Sequence, residues 1–343
     1  MLMLPKMTTV GDDAFLADDT RIASYELGGG WLRIAEAKVG KRAFLGNSGM
    51  TAAGRRLPKR SLVAVLSATP ERAKSGTSWV GSPPVQLRRA EQRTDDSRTF
   101  APPPRVRVAR AGFELGRLVP TVATVAVGVA LVGAFELAWS RLGLPVALAL
   151  GASIVAAAGF ASGAMAAAAK WLLVGRIGAG EHALWSSFVW RNELADTFVE
   201  VLAAPWLLEP AMGSPVVNVW LRSMGADVGA GVWCETYWLP EYDLVRLGDG
   251  ATVNRGCVVQ THLFHDRIMS LDTVTLGVGA TLGPHGVILP AAALGDASTV
   301  GPASLVLRGE SVPAASRWSG NPIAPFDATE PRRSSGRSCA VAS

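Results

Sequence analysis

The second half of the sequence contains a short segment rich in side chains that could carry acid–base chemistry. It includes His262 and His265, with Asp266 beside the second histidine, and His285 follows further along. The pKa of an imidazole lies near physiological pH, so each histidine could act as a general base, and each could equally be a surface residue without a role. A metal site at His262 and His265 would need a third ligand of suitable spacing, which the sequence does not place nearby, so we expect none.

These histidines lie beside a regular repeat that must set their positions. An aliphatic residue returns at every sixth position from residue 276 to residue 312, and Trp318 follows in step. The aliphatic residues are Leu276, Leu282, Ile288, Leu294, Val300, Val306 and Val312. A helix would show spacings of three and four, and a half-buried strand would alternate, whereas a period of six is typical of hexapeptide repeats in a parallel β-helix. Three hexads make one triangular turn, so Leu276, Leu294 and Val312 should form one stacked column.

The repeat region is duplicated. A second hexad series begins at Val10, and each series has a gap of seventeen positions, over residues 22–39 and 259–276. The two series therefore superpose with a shift of 237 residues. We expect each gap to be an exposed loop that leaves the coil, where functional side chains often gather.

The duplication provides an internal control for the histidines. The first copy has Tyr25, Gly28 and Ser48 in the places of His262, His265 and His285. We therefore predict that only the second copy is equipped for acid–base work. Asp266 and Glu235 are the acidic candidates for holding the imidazole of His262 in one tautomer.

Two long uncharged stretches separate the copies. Residues 118–135 and 142–169 contain no charged side chain, and each stretch is long enough to cross a hydrocarbon core of about 30 Å as a helix. Arginines cluster before the first stretch, Lys170 and Arg176 follow the second, and the connection contains Arg141. The positive-inside rule then places both ends, and so both β-helices, in the cytoplasm of a multi-pass protein of the cell membrane. A buried pair of soluble helices is the alternative.

Composition bounds the remaining segments. The net charge is +5, and the basic residues gather near residues 55–60, 88–117 and 332–337 rather than along one periodic face, which argues against nucleic-acid binding. Three distant cysteines indicate neither a zinc site nor a disulfide framework. Amphipathic helices should either lie on the membrane surface or cover the open end of the second β-helix. The predicted divisions are a first β-helix at 7–88, a linker at 89–112, membrane helices at 113–175, amphipathic helices at 176–222, a second β-helix at 223–325 and a disordered tail at 326–343.

Two resemblances extend this interpretation. The hexads and their closing element, Trp318–Ile323, resemble the left-handed β-helix of hexapeptide-repeat acyltransferases. The order of β-helix, membrane hairpin, Trp185–Leu194 and a second copy containing Val258–Phe264 resembles the C-terminal region of ε-polylysine-synthetase-type non-ribosomal peptide synthetases, over about residues 8–326. In that family an adenylation domain and a carrier domain come first, and membrane-embedded tandem acyltransferase-like domains implicated in joining amino acids follow. Neither of the first two domains is present in this sequence.

The resemblance implies roles for particular residues. His262 is the best match to the loop histidine that acts as general base, His265 is the second candidate, and the Gly320, Asn321 and Pro322 element is expected to contact the donor. The donor would be a phosphopantetheine thioester on a separate carrier domain, or coenzyme A. The expected partners are an adenylation and carrier module, an amino acid or other amine acceptor, membrane lipid and neighbouring β-helices.

Three functions remain open at this point. The first is a membrane-bound acyl or aminoacyl transferase that forms amide bonds, with His262 as base. The second is a catalytically silent membrane scaffold that docks a synthetase. The third is an acetyltransferase that uses coenzyme A to acetylate oxygen or nitrogen.

Overall fold

The computed structural model describes residues 2–88 and 95–326. Residues 89–94 of the predicted linker, Cys339 and the predicted disordered tail beyond residue 326 lie outside the described residues. The predicted fold class, tandem left-handed parallel β-helices with an inserted helical hairpin, is confirmed.

The first β-helix is built from short strands on three faces. Its strands are Leu2–Met3 (β1), Thr8–Val10 (β2), Phe15–Leu16 (β3), Arg21–Ala23 (β4), Tyr25–Gly28 (β5), Trp31–Ile34 (β6), Ala37–Val39 (β7), Phe44–Leu45 (β8), Met50–Thr51 (β9), Arg56–Leu57 (β10), Leu62–Val63 (β11), Ser78–Val80 (β12) and Val85–Leu87 (β13). A strand at Gly180–Ala183 (β14) follows the helical hairpin.

The second β-helix has the same plan. Its strands are Asp227–Val228 (β15), Trp233–Cys234 (β16), Val245–Leu247 (β17), Thr252–Val253 (β18), Val258–Val259 (β19), His262–His265 (β20), Ile268–Leu271 (β21), Val274–Leu276 (β22), Thr281–Leu282 (β23), Val287–Ile288 (β24), Ala293–Leu294 (β25), Thr299–Val300 (β26), Leu305–Val306 (β27), Ser311–Val312 (β28), Arg317–Ser319 (β29) and Ala324–Pro325 (β30).

The predicted columns are present in the second β-helix. Leu276 pairs in register with Leu294, Leu294 pairs with Val312, and all three side chains are buried. The hexad spacing produces this stacking because each coil of three hexads returns the chain to the same face, where parallel strands hydrogen-bond to the coils above and below.

The seventeen-residue gaps are ordered hairpins, which corrects the expectation of exposed loops. Strands β5 and β6 form one antiparallel hairpin, and β20 and β21 form the other in the equivalent register. Both hairpins turn through two residues with positive φ, Gly29 and Gly30 in the first copy and Asp266 and Arg267 in the second. Two-residue turns of this kind match the twist of antiparallel strands.

Helices connect the two β-helices. They are Pro104–Gly116 (α1), Leu118–Leu142 (α2), Leu144–Leu173 (α3), Ser187–Phe198 (α4), Glu209–Ala211 (α5) and Pro215–Met224 (α6), and a π-helical segment spans Val199–Leu208. Short 3₁₀ turns lie at Pro5–Met7, Asp96–Arg98 and Tyr242–Leu244. By length and composition, Pro104–Leu142 and Leu144–Leu173 could each cross a membrane, and most of their surface is exposed.

The glycines of the second apolar helix pack against the π-helical segment and α6. A Cβ at Gly159 would lie 2.5 Å from the Trp206 carbonyl oxygen, and one at Gly163 would lie 2.3 Å from Leu207. The indole of Trp220 donates a hydrogen bond to the Gly163 carbonyl at 3.0 Å. The small residues of the G-x-x-x-G spacing therefore leave room for the π-helical segment and α6 to pack between the helical hairpin and the second β-helix.

Helix α6 closes the open end of the second β-helix. Val217, Leu221 and Met224 belong to one buried cluster with Val228 and Leu247 of the first coils. Of the two placements expected for the amphipathic region, covering the coil is the one found for α6. A buried ion pair between Lys170 of α3 and Asp243, at 2.7 Å, fastens the hairpin to the same β-helix.

The two β-helices contact each other directly. Phe15 stacks on Phe264 with ring centroids 5.5 Å apart, and Asn321 donates a hydrogen bond to the Leu66 carbonyl at 2.6 Å. A buried apolar cluster joins Val65 and Val80 of the first copy to residues of the second. The two copies therefore share one interface, and a cleft lies between them.

Candidate active site

His262 is held by a buried carboxylate. Its side chain is 17% exposed, and its Nδ1 lies 2.9 Å from each carboxylate oxygen of Glu241. This corrects the expectation of a solvent-exposed loop histidine, because the hairpin folds His262 back against the coil. With Nδ1 directed at Glu241, Nε2 is the nitrogen available to a substrate.

Glu241 has its own set of hydrogen bonds. It is fully buried and accepts hydrogen bonds from the Asn192 amide at 2.9 Å and from the Thr261 hydroxyl. The backbone N–H of Glu241 donates to the Thr261 hydroxyl at 3.1 Å. The partner that orients His262 is therefore Glu241, and the expectation of Glu235 or Asp266 in this place is wrong.

The two charges shift each other's pKa. Burial acts to lower the pKa of His262, but the charge of Glu241 and its hydrogen bond outweigh burial and raise that pKa above its ordinary value. Burial acts to raise the pKa of Glu241, and the charge of His262 with hydrogen bonds from three side chains outweighs it and lowers that pKa. Glu241 is thus an anion that holds the proton on Nδ1 and stabilises the imidazolium.

His262 lines a cavity between the two β-helices. Its volume is about 420 Å³, within the usual size of a small-molecule site. The first copy contributes Asp18, Asp19, Asn47 and Ser48 to its lining. The copy that lacks the histidines therefore forms part of the wall of the site.

The cavity is acidic. Asp18, Asp19, Asp196 and Glu200 line it, and among residues 2–88 and 95–326 none of the four is in an ion pair within 4.0 Å. Burial, followed by the charges of Glu241 and Glu200, raises the pKa of Asp196 well above its ordinary value. Burial and the charge of Asp18 raise the pKa of Glu200. A cation in the cavity would relieve this repulsion.

The other candidate histidines occupy different surroundings. His285 also lines the cavity, at a corner with φ of 57°. His265, at the end of β20, packs edge-on against Phe44 of the first copy with ring centroids 6.5 Å apart. Tyr25, the counterpart of His262, lies in the hairpin of the first copy and does not line the cavity.

The Gly320–Pro322 element lies at the interface between the copies. The Gly320 N–H donates to the Ser304 hydroxyl at 3.0 Å, and the Asn321 carbonyl accepts from the Ser82 N–H at 3.4 Å. Pro322 lies against Gly81 of the first copy. A role in donor binding remains a prediction for these residues.

A second cavity adjoins the first and is lined by residues of the first copy. Its volume is about 530 Å³, and it shares Asp19, Ser48 and Leu66 with the first. Arg21 and Ser82 also line it. The second cavity therefore adjoins the first at Asp19, Ser48 and Leu66 and reaches Ser82 of the first copy.

The chain is thus a pair of hexapeptide-repeat coils with an oriented histidine in the cavity between them. No protein-family model matches it. The chain is 33% identical over 330 residues, 94% of its length, to delta-poly-L-ornithine synthetase of Acinetobacter baumannii. The expected relationship to poly-amino-acid synthetases is confirmed by this match, and the chain spans 25% of that relative's length.

Several solved structures share the coil at low similarity. A serine acetyltransferase of Neisseria gonorrhoeae is 14% identical with a TM-score of 0.30, over 60% of this chain and 68% of that one. A galactoside acetyltransferase in complex with coenzyme A is 19% identical with a TM-score of 0.26, over 33% of this chain and 70% of that one. A maltose O-acetyltransferase of Clostridium difficile is 17% identical with a TM-score of 0.25, over 34% and 76%. These likenesses are too distant to locate a site in this chain.

Proposed function

We propose that the chain is a membrane-bound transferase domain that forms an amide bond between a thioester-linked acyl or aminoacyl donor and an amine acceptor. The observation that carries the proposal is the contact of His262 with the buried Glu241 in the wall of a substrate-sized cavity. An imidazole held by a carboxylate on Nδ1 is suited to take a proton at Nε2.

The reaction requires one proton acceptor and one leaving group. Nε2 of His262 would remove a proton from the acceptor amine as its nitrogen attacks the thioester carbonyl. The C–N bond forms, the C–S bond breaks, and the leaving thiolate takes from His262 the proton that the amine gave up, which returns the imidazole to its neutral form. Glu241 would stabilise the imidazolium during this step without itself being protonated, because its pKa is already lowered.

The acidic lining supports a cationic acceptor. Asp18, Asp19, Asp196 and Glu200 would attract a second ammonium group on the acceptor while the reacting amine loses its proton to His262. The name of the related synthetase indicates a polymer of ornithine, a diamino acid. We therefore assign a basic amino acid, or the amino end of a basic polymer, to this cavity.

The second cavity supports a long donor. A thioester on a phosphopantetheine arm or on coenzyme A would lie in this cavity of the first copy and bring its carbonyl toward His262, with Arg21 available to an anionic phosphate. The relative is about four times as long as the matched region, so an adenylation and carrier module is the proposed partner.

A membrane position for the domain is supported by the apolar helices. Both are long enough to cross and expose apolar side chains over most of their surface. The two β-helices contact each other, so a hairpin that crosses and returns is compatible with both lying on one side. The arginines before α2 favour the cytoplasmic side.

A silent scaffold would have no use for the arrangement around His262. Burying Glu241 with hydrogen bonds from Asn192, Thr261 and His262 carries a desolvation cost that an apolar residue would avoid. Such a desolvation cost is typical of functional sites, where the buried charge takes part in binding or catalysis.

The test is product formation by the purified protein in detergent or lipid. Ornithinyl-pantetheine and ornithinyl-coenzyme A serve as donors, free ornithine serves as acceptor, and the dipeptide is measured by mass spectrometry. We expect a product with the wild type and almost none with His262→Ala. Transfer that is unaffected by His262→Ala would refute the assignment, and tight binding of a synthetase without transfer would favour the scaffold.

A further inference from the structure

The two equivalent hairpins differ in how they are covered. They share one register, since Leu27 pairs with Leu32 in the first copy and Phe264 pairs with Met269 in the second. Adding 237 to each number in the first hairpin gives its counterpart in the second. The same local structure therefore occurs twice, and its surroundings can be compared position by position.

The hairpin of the second copy is buried. Met269 is 2% exposed, Leu271 is 3% exposed, and Ile268 is 4% exposed. Met269 and Leu271 belong to a cluster with Val189 and Trp190 of α4. Helix α4 therefore contributes to the cover of this apolar surface, together with Ile177 and Leu244.

The hairpin of the first copy is exposed to solvent at the same positions. Leu32 is 55% exposed, Ile34 is 52% exposed and Trp31 is 54% exposed, where their counterparts Met269, Leu271 and Ile268 are buried. Leu27, the counterpart of Phe264, is 74% exposed. Leu27, Leu32 and Ile34 thus lie together on one side of a short hairpin, with Trp31 on the other side, and such a group is unusual for a surface that meets only water.

The edge of the hairpin differs in the same way. In the second copy β14 pairs with β21 as a third antiparallel strand, from Gly180 opposite Leu271 to Ala183 opposite Ile268. In the described part of the chain the sheet of β5 and β6 has two strands, so the outer edge of β6 is unpaired. An unpaired edge beside exposed apolar side chains favours addition of another strand.

We propose that the hairpin Tyr25–Ile34 is a docking site for a partner segment built like Gly180–Phe198, an extended strand followed by an amphipathic helix. The strand would pair with β6 through backbone hydrogen bonds, as β14 pairs with β21. The helix would place apolar side chains on Leu27, Leu32 and Ile34, as Val189 and Trp190 of α4 cover Met269 and Leu271.

The observation that selects this partner is the duplication itself. Lipid or a second β-helix could also cover an apolar surface, but the second copy shows which kind of segment fits this hairpin and its edge together. Glu26 and Arg33 form an ion pair on the other side of the hairpin, which they share with Trp31. One apolar side and one free edge match a strand–helix segment. The inference does not depend on the proposed transferase activity.

The probe is a synthetic peptide of residues 178–200 of this chain, which contains β14 and α4. A photo-reactive amino acid is placed in the full-length protein at Leu32, or at Val85 as the control. Val85 is also an exposed apolar residue of the first copy, at 58%, and lies outside the hairpin. We expect peptide cross-links from position 32, mapping to residues near Trp190, and none from position 85.

Peptide affinity provides the second measurement. Leu32→Asp should weaken binding by about tenfold or more, because a charge would face the apolar side of the helix, whereas Val85→Asp should change it by less than about twofold. Equal thermal unfolding of the two variants checks that both remain folded, since both positions are exposed.

Three results would overturn the proposal. The first is no binding of the peptide at about 1 mM, and the second is equal binding by Leu32→Asp and Val85→Asp. The third is a wild-type protein that dimerises or binds liposomes through this hairpin. In that case Leu32→Asp would abolish dimerisation or liposome binding and leave peptide binding unchanged. A dimer would mean that a second copy covers the hairpin, and liposome binding would mean that lipid does.

Discussion

Nδ1 of His262 lies 2.9 Å from both carboxylate oxygens of Glu241, and Glu241 is fully buried. The histidine is therefore fixed in orientation, and its proton on Nδ1 is shared with a carboxylate that has no access to water. Asn192 of α4 donates to the same carboxylate, so the helical region between the copies takes part in this arrangement.

Loss of His262 should remove most of the transfer activity. A general base typically contributes a factor of about 10² to 10⁴ to a rate, so we expect His262→Ala to lower kcat by that order. Tyr25→Phe is the matched control, because Tyr25 occupies the same place in the first copy and does not line the cavity. His265→Ala should have a smaller effect than His262→Ala. Comparable losses in all three variants would point to a structural cause.

Glu241→Gln should lower both the rate and the pH at which activity appears. Only neutral His262 can accept a proton, and Glu241 raises the pKa of His262, so the acidic limb of the wild-type profile lies above the ordinary imidazole value. Removing the charge should move that limb to lower pH and reduce kcat by about 10²-fold through lost orientation.

The pH profile of kcat measures this shift. Thr261→Val is its control, since it removes the two hydrogen bonds between the Thr261 hydroxyl and Glu241 and keeps the charge of the carboxylate. Its limb should stay near that of the wild type. A limb that moves equally in both variants, or that moves upward in Glu241→Gln, would contradict the assigned role of the carboxylate.

The acidic cavity should select for a charged acceptor. Replacing both Asp18 and Asp19 with Asn removes two carboxylates that line the cavity. The KM for ornithine should rise by about tenfold, whereas the KM for norvaline, which lacks the side-chain amine, should change little. Asp12→Asn is the control, because Asp12 pairs with Lys41 and is not a lining residue. Equal changes of KM for the two acceptors would show that the carboxylates do not recognise the side-chain ammonium group.

Cysteine labelling should place both β-helices on the cytoplasmic side. Ser75 and Ser311 are exposed positions of the two coils, and Ser140 lies at the far end of α2. With Cys339 replaced by Ser, an impermeant thiol reagent on intact cells should label Ser140→Cys and leave Ser75→Cys and Ser311→Cys unlabelled. Cell lysis should make all three reactive. Labelling of one coil before lysis would rule out the membrane hairpin.

Stability should depend on the stacked columns rather than on exposed apolar residues. Leu294 is buried between Leu276 and Val312, so Leu294→Ala should lower the free energy of unfolding by about 2–5 kcal/mol. Val278→Ala is the control, with an effect within about 0.5 kcal/mol, because Val278 is exposed. Urea titration followed by tryptophan fluorescence measures both. A similar loss of unfolding free energy in both variants would mean that the stacked column does not stabilise the core.

Much of the architecture can be predicted from the sequence because it depends on residue patterns that repeat at short intervals along the chain. The sixfold return of residues such as Leu276 and Leu294 predicts both the coil and its columns, and a shift of 237 residues predicts the duplication and the shared hairpin register. The apolar helices are equally visible, since their length and composition suffice. The Gly29–Gly30 pair could also have indicated that the gap is a hairpin.

The site required the tertiary structure. Asn192, Glu241 and His262 meet although Glu241 lies 49 residues from Asn192 and 21 from His262, outside any hexad that relates them. The acidic cavity likewise brings Asp18 of one copy to His262 of the other across an interface that no local pattern encodes. A repeat is determined by neighbouring residues along the chain, whereas the partner of a buried imidazole is determined by how separate elements pack. The sequence alone could therefore nominate His262, and only the folded chain could identify the carboxylate that orients it.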